Sequence, residues 1–196
     1  SFYIKAMLLQ LLALGMNGTI MDVEGREYIN LGEFLSLKSK VQVINMAEGS
    51  GKYFDPVAIP KKTGIKEIDD TAYQLSCNFT SAIFRVLLGR AFDKDTWMTP
   101  VLNDCVALTY KMAGVTDDSK TWRLSENLTL FDVYDTLKSM RNYRPEIEYK
   151  KAVEQAIAYV SPYFDKDGLR ASVFKERVLI SDIVDADLVI CSFEIG

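Results

Sequence analysis

The chain has 196 residues, 48% hydrophobic and 26% charged, the balance of a globular protein of one domain or two small ones. Its net charge is −4 and its 23 lysines and arginines are scattered, which excludes a surface built throughout to neutralise nucleic-acid phosphates. The absence of histidine, with three cysteines and no CxxC spacing, excludes the common zinc arrangements and any histidine triad or proton shuttle.

Residues 2–14 carry Phe2, Ile4, Met7, Leu8, Leu11, Leu12 and Leu14 at helical spacings, with Gly15 in the C-cap position, and predict a helix buried nearly all round. The run lacks a basic leader and a small-residue cleavage site, and is too short and mixed to span a bilayer. "GTIMDV" (18–23) reads as a buried strand ending on acids. "EYINLGEFLSL" (27–37) resumes helical spacing, and "VQVINM" (41–46) is a second strand. Helix, strand, helix, strand is the rhythm of a parallel α/β sheet.

From Glu48 to Lys66 the composition of Gly, Pro and Lys predicts a loop, and within it Gly49-Ser50-Gly51-Lys52 invites comparison with a phosphate-binding loop. That motif needs a glycine where Met46 stands, a hydroxyl where Tyr53 stands and a helix start where Asp55-Pro56 stands, so the stretch reads instead as a glycine turn leaving the second strand. Ser1 is the better candidate, because that motif places a serine, opening a buried helix, directly after Gly-Lys. The same residue also reads as a plain helix cap.

Residues 67–168 are helical throughout, with Ile68, Ala72, Leu75, Phe79, Ile83 and Val86 stepping along one face. Thr99-Pro100 predicts an N-cap and first-turn proline for a helix ending at Gly114. Thr129 and Asp132 have capping-box spacing, and Pro145 starts a helix that runs to Phe164. Phe79, Phe84, Phe131, Tyr134, Tyr159 and Phe164 are expected in the core, Trp97 and Trp122 flank loops as candidate partner contacts, and "RNYRPEIEYKK" reads as a solvated mixed-charge face. "RVLISDI" and "DLVICSF" then return to strand. Cys77, Cys105 and Cys191 lie in apolar runs and read as reduced core thiols of a cytosolic chain, leaving the N-x-T matches at Asn17, Asn78 and Asn127 without meaning. The organisation expected is an α/β part over 1–65, an all-helical insertion over 66–170 with a small core of its own, and a return to sheet over 171–196.

Taken together, "SFYIKAMLLQLLALG", "GTIMDVEGREYINLGEFL" and "VQVINMAEGSGKYFDPVAIP", with the long helical stretch after them, resemble the P-loop ATPases of conjugation and type IV secretion, the TraC and VirB-type class allied to the HerA and FtsK motors. Asp22, Glu24, Glu27 and Tyr28 in "DVEGREY", and Gly49 to Gly51 with Asp55-Pro56, carry the resemblance most specifically. Val23 stands where the family has proline, and the turn is one residue longer, so Glu24 and Glu27 both remain candidates for the family glutamate.

The resemblance implies a partial RecA-like P-loop parallel sheet with a helical insertion, and a chain that is an internal piece of a longer motor ATPase using ATP and Mg to energise DNA or protein export and pilus assembly. It implies Ser1 as a hydroxyl ligand to magnesium, with Asp22 and Glu24 holding the magnesium's water shell or orienting the attacking water. It also implies a hexameric ring, other secretion subunits as partners and a cytoplasmic location peripheral to the inner membrane; DNA contact stays open. Asp182 and Glu194 each end a strand-like run, but by the resemblance the acidic Walker B pair lies further on. Arg26 and Arg90 read as solvated charges rather than trans-acting fingers. Two other readings stand beside this one: a non-catalytic helical interaction module, and a DNA-translocating coupling protein of the same superfamily.

Overall fold

The computed structural model describes residues 2–22, 28–36, 39–46, 50–60, 69–178 and 186–192. The chain divides into two compact units, Ser1–Phe54 with Ser172–Gly196, and Asp55–Ala171.

The first unit contains α1 (Phe2–Ala13), β1 (Gly18–Asp22), α2 (Ile29–Leu35), β2 (Val41–Asn45), β3 (Lys52–Phe54), β4 (Glu176–Val178) and β5 (Leu188–Ser192). β5 lies between β1 and β2, parallel to both, with Ile190 level with Ile20 and Val43. Every residue of β5 is buried, as its continuous apolar run requires of a central parallel strand. Because side chains alternate along a strand, the sheet has two apolar faces. Leu188 and Ile190 pack with Tyr28 and Leu35 beside Leu8 and Leu12 of α1, while Val189 and Cys191 pack with Ile44, Val178 and Ala186 on the other side. Gly32 sets the approach of α2 to the sheet, since a Cβ there would lie 2.7 Å from Ile190 Cδ1.

Three expectations for this unit are corrected. α1 is apolar but for Lys5 and Gln10, yet it is covered only in part, Leu14 just beyond it being 77% exposed and Ile4 and Met7 about half exposed, because only the Leu8 and Leu12 side meets the core. β1 alternates rather than lying buried, because it pairs along one side only among the described residues and Met21 is left exposed. The predicted loop over 48–66 contains β3, which pairs in parallel with β4.

The second unit is helical, as its periodicity predicts: α3 (Ala72–Leu88), α4 (Arg90–Lys94), α5 (Met98–Met112), a 3-10 helix (Trp122–Asn127), α6 (Leu130–Ser139), a second 3-10 helix (Met140–Asn142) and α7 (Ile147–Phe164). At its centre Phe164 stacks on Phe84 at 5.5 Å and on Tyr134 at 5.1 Å, with Phe131 edge-on at 5.3 Å. The strap 55–59 is buried against this bundle. The Tyr110 hydroxyl donates to the Val57 carbonyl, Ser125 Oγ accepts the Ile59 amide, and the Asp55 carboxylate accepts the Val57 amide.

Here too particular expectations give way. α3 buries Ala72, Ser76, Thr80, Phe84 and Leu88, so of the predicted stripe Ala72 is buried and Ile83 half-buried, Leu75, Phe79 and Val86 are exposed, and Ile68 lies outside the described residues. Tyr159 and Phe131, both expected in the core, are also exposed, Phe131 meeting Phe164 only with its edge. α5 begins at Met98 behind Trp97, whose amide is held by the Asp95 carboxylate, which puts Pro100 inside the first turn rather than at its opening. Trp122 is buried with its indole N–H donating to the Thr116 carbonyl, which removes it as a partner contact. Part of the mixed-charge stretch is tied down, Arg144 pairing with Asp104 at 2.6 Å while the buried Tyr149 hydroxyl donates to the same carboxylate. Among the described residues the three cysteines are free thiols, and burial pushes the Cys105 thiol up from its ordinary value. No helix among them is long and apolar enough to cross a membrane.

Candidate functional site

β1 ends on Asp22, which is almost fully buried although it is a carboxylate, so its charge requires partners. One is the backbone of the next element: the Tyr28 amide, immediately before α2, donates to Asp22 Oδ2 at 3.1 Å. The Tyr28 ring in turn lies 5.3 Å beneath the Lys5 ammonium, which sits in the first half of α1. Lys5, Tyr28 and Asp22 thus link the amino-terminal half of α1 to the carboxyl end of β1. The antiparallel run of α1 against the strand it precedes produces this juxtaposition.

Register extends the site across the sheet. Asp22 is level with Ser192 of β5, and Ser192 with Asn45 of β2, so an acid, a hydroxyl and an amide stand in a row at the carboxyl ends of three parallel strands. Residues in register on parallel strands share a face, and this row continues Ile20, Ile190 and Val43 on the face that α1 and α2 cover. The Met46 amide donates to the Ser192 carbonyl at 2.7 Å, carrying the pairing one residue beyond β2. Such an edge is where open parallel sheets bind ligands. All three side chains offer oxygen, the donor type that a hard cation such as magnesium takes. Among the described residues no three carboxylates or thiols converge as a metal cluster.

The sequence candidates distribute unevenly over this geometry. Asp22 is in the row. Ser1 and Glu24 lie outside the described residues, as do Arg26, Glu27, Asp182 and Glu194. Arg90 opens α4 in the helical unit and is exposed. Ser192, Asn45 and Lys5 were not singled out by sequence. Alternation alone would have offered Asn45, but which strand lies centrally, and therefore that Ser192 joins Asp22 to Asn45, is set by pairing that one sequence does not display.

The Ser50-Gly51-Lys52 part of the phosphate-loop lookalike forms a turn into β3. Gly51 has φ 71°, and its carbonyl accepts the amides of Lys175 and Glu176. Ser50 Oγ accepts the Lys52 amide, and the Lys52 ammonium pairs with Glu176 at 3.2 Å. A phosphate cradle presents amides and a lysine to an anion. Here a carbonyl serves as acceptor and the lysine has a carboxylate.

The architecture is therefore a small parallel α/β unit interrupted in sequence by a helical one, with a polar row at the strands' carboxyl edge. A chain of similar fold is VirB4 of Thermoanaerobacter pseudethanolicus, at 18% identity and a TM-score of 0.65, with 98% of this chain aligned over 46% of that one. The present chain thus spans a little under half the length of that protein, and at this identity the likeness is one of fold. No family model and no curated protein matches the sequence.

Proposed function

We propose that the chain is a segment of a type IV secretion or conjugation motor ATPase, which hydrolyses ATP with magnesium to energise DNA or protein export and pilus assembly. The observation that carries this reading is the Lys5–Tyr28–Asp22 link, which sets the leading half of α1 beside the strand end bearing the first candidate acid. A helix that comes after a phosphate loop has to start at that edge for its N-terminus to face the anion. The fold likeness to a VirB4 and the "DVEGREY" stretch point the same way.

In this reading Ser1 would offer magnesium a hydroxyl, and Asp22 and Glu24 would hold its water shell or orient the attacking water; the chemistry the metal would supply there is charge neutralisation at the phosphate. The chain's own contribution is positional. The Tyr28 amide holds the Asp22 carboxylate in one orientation, and Ser192 and Asn45 extend a polar edge on which a water can be oriented. A neighbouring subunit of a hexameric ring completes the site at the cytoplasmic side of the inner membrane, with other secretion subunits as partners.

The test is magnesium-dependent ATP turnover by the full-length protein. Asp22→Asn keeps the size and an oxygen acceptor for Tyr28 while removing the charge, and is expected to lower kcat by roughly 100-fold, the scale of losing one positioned proton-handling or water-orienting group. Turnover at the unsubstituted rate, in a variant with an unchanged melting temperature, would end the reading of Asp22 as part of a nucleotide site.

A further inference from the structure

We propose that Lys5 is a positioning residue for ATP turnover: its ammonium, seated over the Tyr28 ring, fixes the residue whose amide orients the Asp22 carboxylate. The inference rests on the reading of Asp22 as part of a nucleotide site and adds to it a residue that acts only through Tyr28.

Lys5 is the only charged residue of α1 and stands at the end of the first turn. The helix dipole disfavours a cation at that end, and the apolar side chains around it on the helix offer an ammonium nothing to bond, so its charge draws on another element. The Tyr28 ring supplies a partner, with its centroid 5.3 Å from the Lys5 nitrogen. Lys5 is half-buried and Tyr28 only 9% exposed. The pair is thus partly desolvated, the condition under which the attraction between an ammonium and a ring face exceeds its weak surface value.

Two contacts converge on Tyr28. It stands immediately before α2, at an entry with no side-chain cap, so its placement depends on tertiary partners. Its ring packs with Leu35, Leu188 and Ile190, and its amide donates to Asp22 Oδ2 at 3.1 Å. Apolar packing is non-directional, whereas a ring face attracts a cation along one axis, so Lys5 supplies a restraint on orientation that the apolar neighbours do not. A displacement of Tyr28 passes to Asp22 because the same residue carries the amide, and a hydrogen bond weakens steeply as its angle closes. The bond also closes the stretch of sequence that carries Glu24 and Glu27, the other candidate acids. Groups that orient a reacting water lose rate on small displacements, which makes turnover the quantity that Lys5 controls.

The test is magnesium-dependent ATP turnover by the full-length protein, with a thermal melt of every variant. Lys5→Met keeps an unbranched stem and removes the charge; it should lower kcat roughly tenfold, with KM for ATP within about twofold and the melt unchanged. Lys5→Arg, whose guanidinium also sits over aromatic faces, should recover most of the rate. Added to Asp22→Asn, Lys5→Met should lower kcat no further, because the group it acts through has already lost its charge. Unaltered turnover in Asp22→Asn would end the nucleotide-site reading and this inference with it. A slowed Asp22→Asn beside an unaltered Lys5→Met would end this inference alone. It is likewise overturned by a Lys5→Met loss that persists in full on the Asp22→Asn background, that falls on KM, that Lys5→Arg does not recover, or that follows a lowered melting temperature.

Discussion

Gly51 and Lys52 are neighbours in a stretch that looks like a phosphate loop, and opposite outcomes are expected on changing them. At Gly51, φ is 71° and an added Cβ would lie 2.8 Å from the Ser172 carbonyl oxygen, so Gly51→Ala combines a left-handed backbone with a backbone clash. Urea unfolding should show a loss of at least ~1 kcal/mol. Lys52 is partly exposed and its carboxylate partner more so, so Lys52→Ala should leave stability within about 0.5 kcal/mol and ATP turnover of the full-length protein unaltered. A large loss of turnover would restore the lookalike as a phosphate site. A second residue-scale outcome concerns alkaline pH. Burial first, and then the hydrogen bond to Asp165, pushes the Tyr134 phenol from 10.0 up to about 12. Between those values the folded chain keeps a proton that the unfolded chain has released, so this contribution to stability is complete below pH 10 and fades as pH rises to about 12. Denaturant unfolding measured across that window should show a shallower fall in Tyr134→Phe than in the parent chain.

At the scale of elements, α3 shows what periodicity reveals and what it hides. Its helical type can be read from the sequence, yet Leu75, Phe79 and Val86 of the stripe read as core face outward. The helix carries two stripes, and α5 and α7 approach along the one that holds Ser76 and Thr80, where small side chains admit close neighbours. Hydrophobicity ranks Leu75 and Phe79 above those two, whereas packing ranks them below. The contrast is measurable: Phe84→Ala, at a fully buried ring stacked on Phe164, should cost about 3–5 kcal/mol, while Phe79→Lys should change stability by less than about 0.5 kcal/mol. Comparable losses in chemical denaturation would mean that Phe79 is covered in solution. The N-terminus of α6 shows the complementary case, where local chemistry decides. The Asp132 carboxylate accepts both the amide and the hydroxyl of Thr129, so a capping box visible at three-residue spacing forms even with aspartate in place of the favoured glutamate. The candidate site divides along the same line. Asp22 was legible because an acid closing an apolar run is a local pattern, whereas Ser192 and Lys5 reach it only through strand order and helix placement, which depend on contacts across the whole unit.

At the scale of the whole molecule, the two units differ in how much of their apolar surface they cover themselves. Asp55–Ala171 is continuous in sequence, and its core is closed by its own helices around Phe164, with the strap 55–59 held by Tyr110 and Ser125 of the same segment. Its contacts are mostly between helices near in sequence, which favours rapid cooperative folding. The sheet unit is built from two separated stretches, and α1 and β1 keep Ile4, Met7, Leu14 and Met21 exposed. A fragment covering 55–171 is therefore expected to be soluble, strongly helical and to melt in one cooperative transition, whereas a fragment made by joining 1–54 to 172–196 should associate through that uncovered surface. Circular dichroism and light scattering on the two fragments measure both outcomes. If the helical fragment melts broadly, without a two-state transition, then the helical unit does not carry its own core; if the joined fragment is monomeric and stable, then the sheet unit covers its apolar surface without help, and the contrast drawn between the two units fails.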